Sequence, residues 1–234
     1  MNWIEDFHQN GFAIVPNVID EARIEALLAA LSEVRVTTAV KQRAGRAFGI
    51  RRLLDVVPAM RALAESAMLQ ELVTPVIGSP ARVVRGIFFD KTPVANWKVP
   101  WHQDVAIAVR EKLDVPSFSA WSVKAGVVHV QPPKAVLENI LTVRVHLDDA
   151  AETNGALRVI PGSHLHGVLC DEAVQRWKET VPAVACAVRR GDALLIRPLL
   201  LHASSVARQP QHRRVLHLEY SAHALPGGLA WYGS

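Results

Sequence analysis

Three short segments place an imidazole and a carboxylate two residues apart in the chain. They are His102 with Asp104, His146 with Asp148, and His217 with Glu219. Residues i and i+2 of a β-strand point to the same face, so each pair offers two ligands to one metal ion. A distant second histidine would complete the 2-His-1-carboxylate set of non-haem Fe(II) oxygenases, which leaves coordination positions open for a cosubstrate and O₂.

His202 is the best candidate for that distant histidine. It follows a turn and an apolar run over residues 191–198 that would carry it into the interior of a barrel. On spacing alone, either His102 or His146 can pair with His202, so the residues themselves leave the choice of metal pair open. Taken singly, each pair is also typical of a capped turn or of a histidine buried in a barrel.

Ser204 and Arg213, which both follow His202 in the chain, are candidates for binding an anion. Ser204 lies two residues on and shares a face with His202 if the strand continues. Arg213 stands near the start of the next strand, where a buried guanidinium would grip a carboxylate through two hydrogen bonds. The alternative for Arg213 is a solvated charge in the basic turn 208–214. Strand residues alternate, so only one of Arg213 and Arg214 can face inward.

The elements that must position these residues fall into two parts. Before residue 79, a short strand ends at Pro16, Asp20 caps a helix predicted over 21–34, and a second helix is predicted over 58–73. Residues 40–52, which include Gly45 and Gly49 among many Lys and Arg, are predicted to form a mobile loop.

After residue 79 the pattern changes to short apolar or alternating runs separated by Pro, Gly and Asn. Eight runs have strand length: 82–90, 105–109, 126–130, 140–147, 156–160, 184–189, 193–197 and 214–221. This pattern predicts an all-β sandwich or barrel, such as a jelly roll. We expect one domain over residues 1–234, with a helical N-terminal part, 1–78, packed on a jelly-roll core at about 79–223.

Composition excludes several classes of protein. Half of the 234 residues are hydrophobic and 21% are charged, so the chain can bury a sizeable core and is not disordered. The net charge of +4 is scattered, which gives no support for nucleic-acid binding. Neither a signal peptide nor an apolar run of membrane-spanning length is present, so a soluble, cytoplasmic protein without a membrane partner is predicted. Cys170 and Cys186 are expected to be free, buried thiols.

Three segments together resemble the phytanoyl-CoA dioxygenase family of Fe(II)- and 2-oxoglutarate-dependent oxygenases. They are residues 101–104, residues 147–149 with 154–164, and His202 with Ser204 and Arg213. Residues 10–16 are also similar to the opening strand of that family. The likeness spans most of the chain, from about residue 7 to 221, and its middle segment is long and specific.

The resemblance implies a mainly β protein with N-terminal helices and a double-stranded β-helix (jelly roll, cupin-like) barrel. It assigns Fe(II) to His102, Asp104 and His202, and the distal carboxylate of 2-oxoglutarate to Arg213 and Ser204. His146 is then not a ligand. Relatives that halogenate replace this carboxylate with a small residue. Because Asp104 keeps it, the implied reaction is hydroxylation of an unactivated C–H bond of a small molecule by O₂, with release of succinate and CO₂; desaturation and ring formation are left open. The alternative is a non-catalytic metal- or ligand-binding jelly-roll protein.

Candidate substrate residues follow from position alone. Arg144 and His146 share one strand face, which either lines the cavity or faces water. Lys91 and Trp97 precede the metal motif, and Trp97 is more typical of packing than of substrate contact. The segment 110–137 is long and irregular between strands. It is either a lid, in which His129 reaches a substrate, or a surface excursion without contact.

Overall fold

The computed structural model of the protein describes residues 3–35, 37, 39–43 and 46–233. The strands over these residues are β1 Phe12–Val15, β2 Val40–Arg43, β3 Arg46–Ile50, β4 Arg82–Lys91, β5 Val99–His102, β6 Ile107–Val109, β7 Ser119–Lys124, β8 Val127–Gln131, β9 Ile140–His146, β10 Leu157–Val159, β11 Val184–Cys186, β12 Ala193–Ile196, β13 His202–Ser204 and β14 Arg213–Ser221. The helices are α1 Trp3–Asn10, α2 Glu21–Ser32, α3 Leu53–Val56, α4 Pro58–Ala64, α5 Ala67–Ile77, α6 Lys134–Glu138 and α7 Asp171–Thr180. Each of the eight predicted strands is present, which confirms a mainly β fold.

The strands form three antiparallel sheets. The largest has the order β1–β12–β9–β14–β4–β3–β2, the second has the order β11–β10–β13–β5, and the third has the order β6–β8–β7. The longest pairing joins β14 to β4 and runs from Arg213 opposite Lys91 to Ser221 opposite Arg82. On its other side β14 pairs with β9, where His217 lies opposite Arg144.

The two faces of the largest sheet have different chemistry. On β9, Val143 and Val145 pack with the N-terminal helices, while Arg144 and His146 lie on the opposite face. Likewise, Leu216 and Leu218 of β14 join the helical core, and the alternating polar residues of that strand turn away from it. The helices therefore cover the apolar face, and the polar face is left for the functional site.

The N-terminal helices agree in part with expectation. The carboxylate of Asp20 accepts a hydrogen bond from the backbone N–H of Arg23, which confirms it as the cap of α2. The single helix predicted over 58–73 is wrong, because the chain breaks at Ser66 into α4 and α5. Ser66 is extended (ψ 149°) and stands at the N-cap position of α5, although its side chain makes no capping hydrogen bond.

The predicted loop over residues 40–52 is also wrong where the structure describes it; Gly45 lies outside the described residues. β2 and β3 form a hairpin with Val40 opposite Ile50 and Lys41 opposite Gly49. Val40 and Ile50 are buried while Lys41 is exposed, so the charges lie on the open side of an edge hairpin. β3 then extends the sheet beside β4.

The two cysteines differ in their exposure to solvent. Both are free, as predicted, but Cys170 is exposed and only Cys186 is buried. Cys170 immediately precedes α7, none of whose residues is buried, so its thiol has no core to enter.

The helices are short. No helix in the described part of the chain is long and apolar enough to cross a membrane.

Candidate metal centre

The register between β13 and β5 brings the two proposed histidine ligands together. His202 lies directly opposite His102, and their ring centroids are 4.2 Å apart. Asp104 follows β5 by two residues, and its two carboxylate oxygens lie 3.6 Å from Nε2 of His102 and 3.6 Å from Nε2 of His202. One ligand atom from each residue lies within 4.8 Å of the others. The three side chains thus converge on one point, although Asp104 and His202 are far apart in the chain.

Backbone carbonyls orient both imidazoles. Nδ1 of His102 is 2.9 Å from the carbonyl of Pro100, and Nδ1 of His202 is 2.8 Å from the carbonyl of Leu200. When Nδ1–H donates to these carbonyls, the lone pair of each Nε2 is left free and points to the shared carboxylate. This is the outer hydrogen bond typical of metal-ligating histidines.

Gln103, between two of the proposed ligands, holds the loop that carries them. Its amide nitrogen donates to the carbonyls of Gly167 (2.8 Å) and Leu199 (2.7 Å), and its oxygen accepts from the N–H of Leu169 (2.8 Å). Gln103 points away from His102 and Asp104, as strand alternation requires. The sequence suggests no structural role for Gln103, because the backbone groups that it bonds are far from it in the chain.

The charges of the centre suit a divalent cation. Burial lowers the pKa of His202 to about 4, so this imidazole is neutral at pH 7. Loss of hydration acts to raise the pKa of Asp104, but His202 and His102 outweigh it and hold that pKa below its usual value. Two imidazoles and one carboxylate are the donor set that non-haem iron accepts, so these residues fit Fe(II).

The rival pairs do not converge in the same way. Asp148 bonds Arg214 rather than His146, and neither ring nitrogen of buried His146 has a hydrogen-bond partner. His217 and Glu219 do meet, with Nε2 3.2 Å from Oε1, but that carboxylate is also bonded to Arg85 at 2.9 Å. Among the described residues, only the set with His102 forms a three-residue group that could hold a metal ion.

A cavity of about 100 Å³, the inner cavity below, opens beside the three converging residues. Its walls come from both of the larger sheets and include Arg144, Arg213, Ser204 and His217 as well as the proposed ligands. Arg144 therefore lies on the cavity side of β9, the first of the two alternatives left by the sequence. His146, on the same face, is buried beside it and is not among the lining residues.

Arg213 and Ser204 meet at one end of the inner cavity. Both donate to the carbonyl of Gly155, Ser204 at 2.9 Å. Arg213 is 4% exposed and its Nε has no hydrogen-bond partner. Burial lowers the pKa of Arg213 to about 9, and nearby Arg144 adds to this effect, so an anion beside it would recover lost stabilisation.

Lys91 lies directly behind this pair. Its side chain is fully buried, and Nζ donates to Oγ of Ser204 (2.7 Å) and to the carbonyl of Ser205 (2.6 Å). Burial lowers its pKa to about 7, with Arg213 the next cause. Lys91 does not line the inner cavity itself, but it places a second positive charge behind Ser204. From the sequence, Lys91 is only a candidate substrate residue.

The remaining candidates lie at different distances from the centre. Trp97 lines both the inner cavity and a groove of about 400 Å³ next to it, the outer groove below. His129 is buried on β8, its Nδ1 lies 3.0 Å from the carbonyl of Val127, and it does not line the inner cavity. The segment 110–137 is only partly irregular: β8 covers the strand predicted at 126–130, and β7, which the sequence does not predict, pairs with it, whereas residues 110–118 form no strand or helix.

Comparisons with known proteins identify the family and the fold. The model of the phytanoyl-CoA dioxygenase (PhyH) family matches residues 7–215. No curated protein matches the sequence. One similar solved structure is AviO1 from Streptomyces viridochromogenes Tue57, with 24% identity, a TM-score of 0.66, and coverage of 96% of this chain and 95% of that one. Another is EctD from S. alaskensis in its apoform, with 19% identity, a TM-score of 0.73, and coverage of 94% of this chain and 75% of that one.

A third similar structure holds ligands. It is the epimerase SnoN in complex with Fe³⁺, alpha-ketoglutarate and nogalamycin RO, with 19% identity, a TM-score of 0.70, and coverage of 97% of this chain and 90% of that one. At these sequence identities the solved structures establish only a shared fold, whereas the match to the family model establishes membership of the family. The predicted family is confirmed: the chain belongs to the phytanoyl-CoA dioxygenase family, whose members are Fe(II)- and 2-oxoglutarate-dependent oxygenases.

Proposed function

We propose that the protein is a 2-oxoglutarate-dependent oxygenase that hydroxylates an unactivated C–H bond of a small molecule at an iron centre formed by His102, Asp104 and His202. The observation that carries the proposal is the convergence of these three side chains on a cavity that is also lined by a buried, incompletely paired arginine, Arg213. The iron ion and alpha-ketoglutarate bound together in the SnoN structure are consistent with it.

The architecture implied is a jelly roll, with residues 1–234 as a single domain. The inner cavity lies between the sheet of β9 and β14 and the sheet of β13 and β5, and the apolar residues of β10, β11 and β12 fill the space beside it. Two facing antiparallel sheets with a site between them are expected of a cupin-like jelly roll.

The chain's residues have separate tasks in this reaction. His102, Asp104 and His202 would hold the iron beside the inner cavity, and three protein ligands would leave positions for the cosubstrate and O₂. Arg213 binds the distal carboxylate of 2-oxoglutarate, while Ser204 and Lys91 complete an anion cradle. The Gly155 carbonyl, which accepts from both Arg213 and Ser204, orients their side chains.

When bound, iron and 2-oxoglutarate supply the oxidising chemistry: one oxygen atom of O₂ enters the substrate hydroxyl and the other enters succinate, as CO₂ is released. The protein contributes the orientation of the two reactants and the exclusion of bulk water. The hydrogen bonds of His202 to the carbonyl of Leu200 and of Ser204 to the carbonyl of Gly155 support the orientation of both groups of residues around the inner cavity.

Release of labelled CO₂ from 1-¹⁴C-2-oxoglutarate tests the proposal. We expect release that requires both Fe(II) and O₂, matches succinate formation one to one, and increases when a substrate is found. Asp104→Ala should abolish it, whereas the matched control Asp148→Ala should retain it. No release from a protein that binds both iron and 2-oxoglutarate would favour the non-catalytic alternative.

A further inference from the structure

We propose that Arg144 binds a carboxylate group of the substrate, which makes it a residue that determines substrate specificity. The inference rests on the proposed oxygenase function and extends it to the chemical class of the substrate. It assigns the enzyme a small carboxylic acid whose apolar body occupies the outer groove.

Arg144 lines the inner cavity and makes no direct ion pair in the described part of the chain, although the carboxylate of Asp104 lies near enough to act on its charge. Arg144 is 7% exposed, and it lines the cavity together with the proposed metal ligands. Among the described residues, none of the ion pairs includes Arg144. Its Nε has no hydrogen-bond partner at all. A buried guanidinium with unused donors is costly unless an anion arrives to pair with it.

A chain of buried polar residues fixes the orientation of Arg144. Its Nη1 donates to Nδ1 of His217 at 2.9 Å, which requires Nδ1 to be the unprotonated nitrogen. Nε2 of His217 then donates to Glu219 at 3.2 Å, and Glu219 is held by Arg85 at 2.9 Å. One end of the guanidinium is thereby anchored beside the inner cavity, while Nε is left without a hydrogen-bond partner. His217 and Glu219 act as positioning residues for Arg144.

The charge of the site exceeds what the cosubstrate can neutralise. Bound Fe(II) contributes two positive charges and Asp104 removes one, and Arg144 and Arg213 add one each. The 2-oxoglutarate dianion offsets two of these three, and Lys91 adds to the surplus only in its protonated form. The carboxylate of Glu219 does not contribute, because it is paired with Arg85. The remaining positive charge favours a substrate that is itself an anion.

Arg144 is separate from the anion cradle at Arg213. Arg144 lies opposite His217, four residues along β14 from Arg213, so the two backbone positions are roughly 13 Å apart at ~3.3 Å per residue. The two guanidiniums still influence each other, but they have different partners: Arg144 bonds His217, and Arg213 bonds the carbonyl of Gly155. The outer groove shares Phe89 and Trp97 with the inner cavity. The described residues that line the outer groove include Lys41, Arg43 and Arg51 but no Asp or Glu, so an acid approaches the site without repulsion.

A matched pair of probes, phenylacetate and phenylacetamide, tests the proposal. Each is titrated anaerobically into the complex with Fe(II) and 2-oxoglutarate, and its binding is followed by perturbation of the visible charge-transfer band. We expect the wild type to bind the carboxylate at least tenfold more tightly than the amide. Arg144→Met should reduce this preference below threefold, and Arg144→Gln serves if the methionine variant does not fold.

Three controls separate the possible failures. The exposed Lys98→Met removes a nearby charge and should leave the preference intact. Loss of preference in Arg51→Met but not in Arg144→Met would place the anion in the outer groove and overturn the proposal. A loss of 2-oxoglutarate affinity in Arg144→Met as large as that in Arg213→Met would also overturn it, since Arg144 would then belong to the cradle. If the wild type binds the two probes equally, or binds neither, the proposal is contradicted. If the visible charge-transfer band is absent before a probe is added, the oxygenase function itself is contradicted.

Discussion

Arg213 and Arg214 are neighbours on β14, yet they serve opposite faces of the sheet. Arg213 lines the inner cavity and donates to the carbonyl of Gly155. Arg214 points away from the cavity and bonds both carboxylate oxygens of Asp148, at 2.7 and 2.6 Å. Strand alternation therefore assigns one arginine to the site and the other to an ion pair, although the sequence alone does not say which is which.

This relationship predicts different effects of the two arginines. Arg213→Met should weaken binding of 2-oxoglutarate more than tenfold, because it removes the guanidinium of the anion cradle. Arg214→Met should change that affinity less than threefold and should lower the free energy of unfolding by about 1–3 kcal/mol through loss of charged hydrogen bonds. Calorimetric titration and chemical denaturation measure the two quantities. The opposite assignment of effects would mean that the register of β14 is wrong by one residue.

The two histidines that compete as ligands should also differ. His102→Ala should abolish tight iron binding, because Nε2 of this residue points to Asp104 across 3.6 Å. His146→Ala should retain binding of one iron per chain, since no carboxylate approaches its ring in the structure described. Iron content after gel filtration distinguishes them. Loss of iron from the His146 variant alone would refute the proposed centre.

The lowered pKa of Lys91 predicts that binding of 2-oxoglutarate is linked to proton uptake. Burial lowers its pKa from 10.5 to about 7, so at pH 8 much of it is neutral in the free protein. A carboxylate bound nearby favours the ammonium form, so the pKa rises on binding and a proton is taken up. Affinity should accordingly fall as pH rises from 7 to 9.

Calorimetry at pH 8 in two buffers of different ionisation enthalpy measures this uptake. The heat of 2-oxoglutarate binding should depend on the buffer in the wild type. The dependence should largely disappear in Lys91→Met. A buffer dependence that is the same in both proteins would assign the proton to another group.

Gln103 should affect the iron centre without touching the iron. Gln103→Leu removes three hydrogen bonds that tie the motif to residues 167, 169 and 199. We expect iron affinity to fall about 10–100-fold, the range found for residues that orient metal ligands. The matched control Gln209→Leu changes an exposed glutamine and should leave iron affinity as it is. Equal affinity in both variants would show that the backbone alone holds the motif.

Much of the fold could be predicted from the sequence, because apolar alternation marks the strands whose one face packs against helices. The two strands of the proposed metal centre are not among the eight strands that the sequence predicts. β5 contains Pro100 and is only four residues long, and β13 has three. Such short strands carry too few residues for a periodic pattern, so their pairing becomes visible only when the register between His102 and His202 is known.

The polar network of the cavity could not be predicted either. Arg85, Glu219 and His217 alternate with apolar residues as they would on a strand with one face in water. Alternation separates the two faces of a strand but does not say whether the polar face meets solvent or another sheet. The second sheet, contributed by distant parts of the chain, decides that these charges are buried.

Anaerobic titration of the apoprotein with Fe(II) and then 2-oxoglutarate tests the proposed iron and 2-oxoglutarate site most directly. We predict a visible charge-transfer band that saturates at one iron and one 2-oxoglutarate per chain. The band should be absent in His102→Ala and present in His146→Ala. A folded wild-type protein that gives no band, or a band that survives His102→Ala, would contradict the proposed centre.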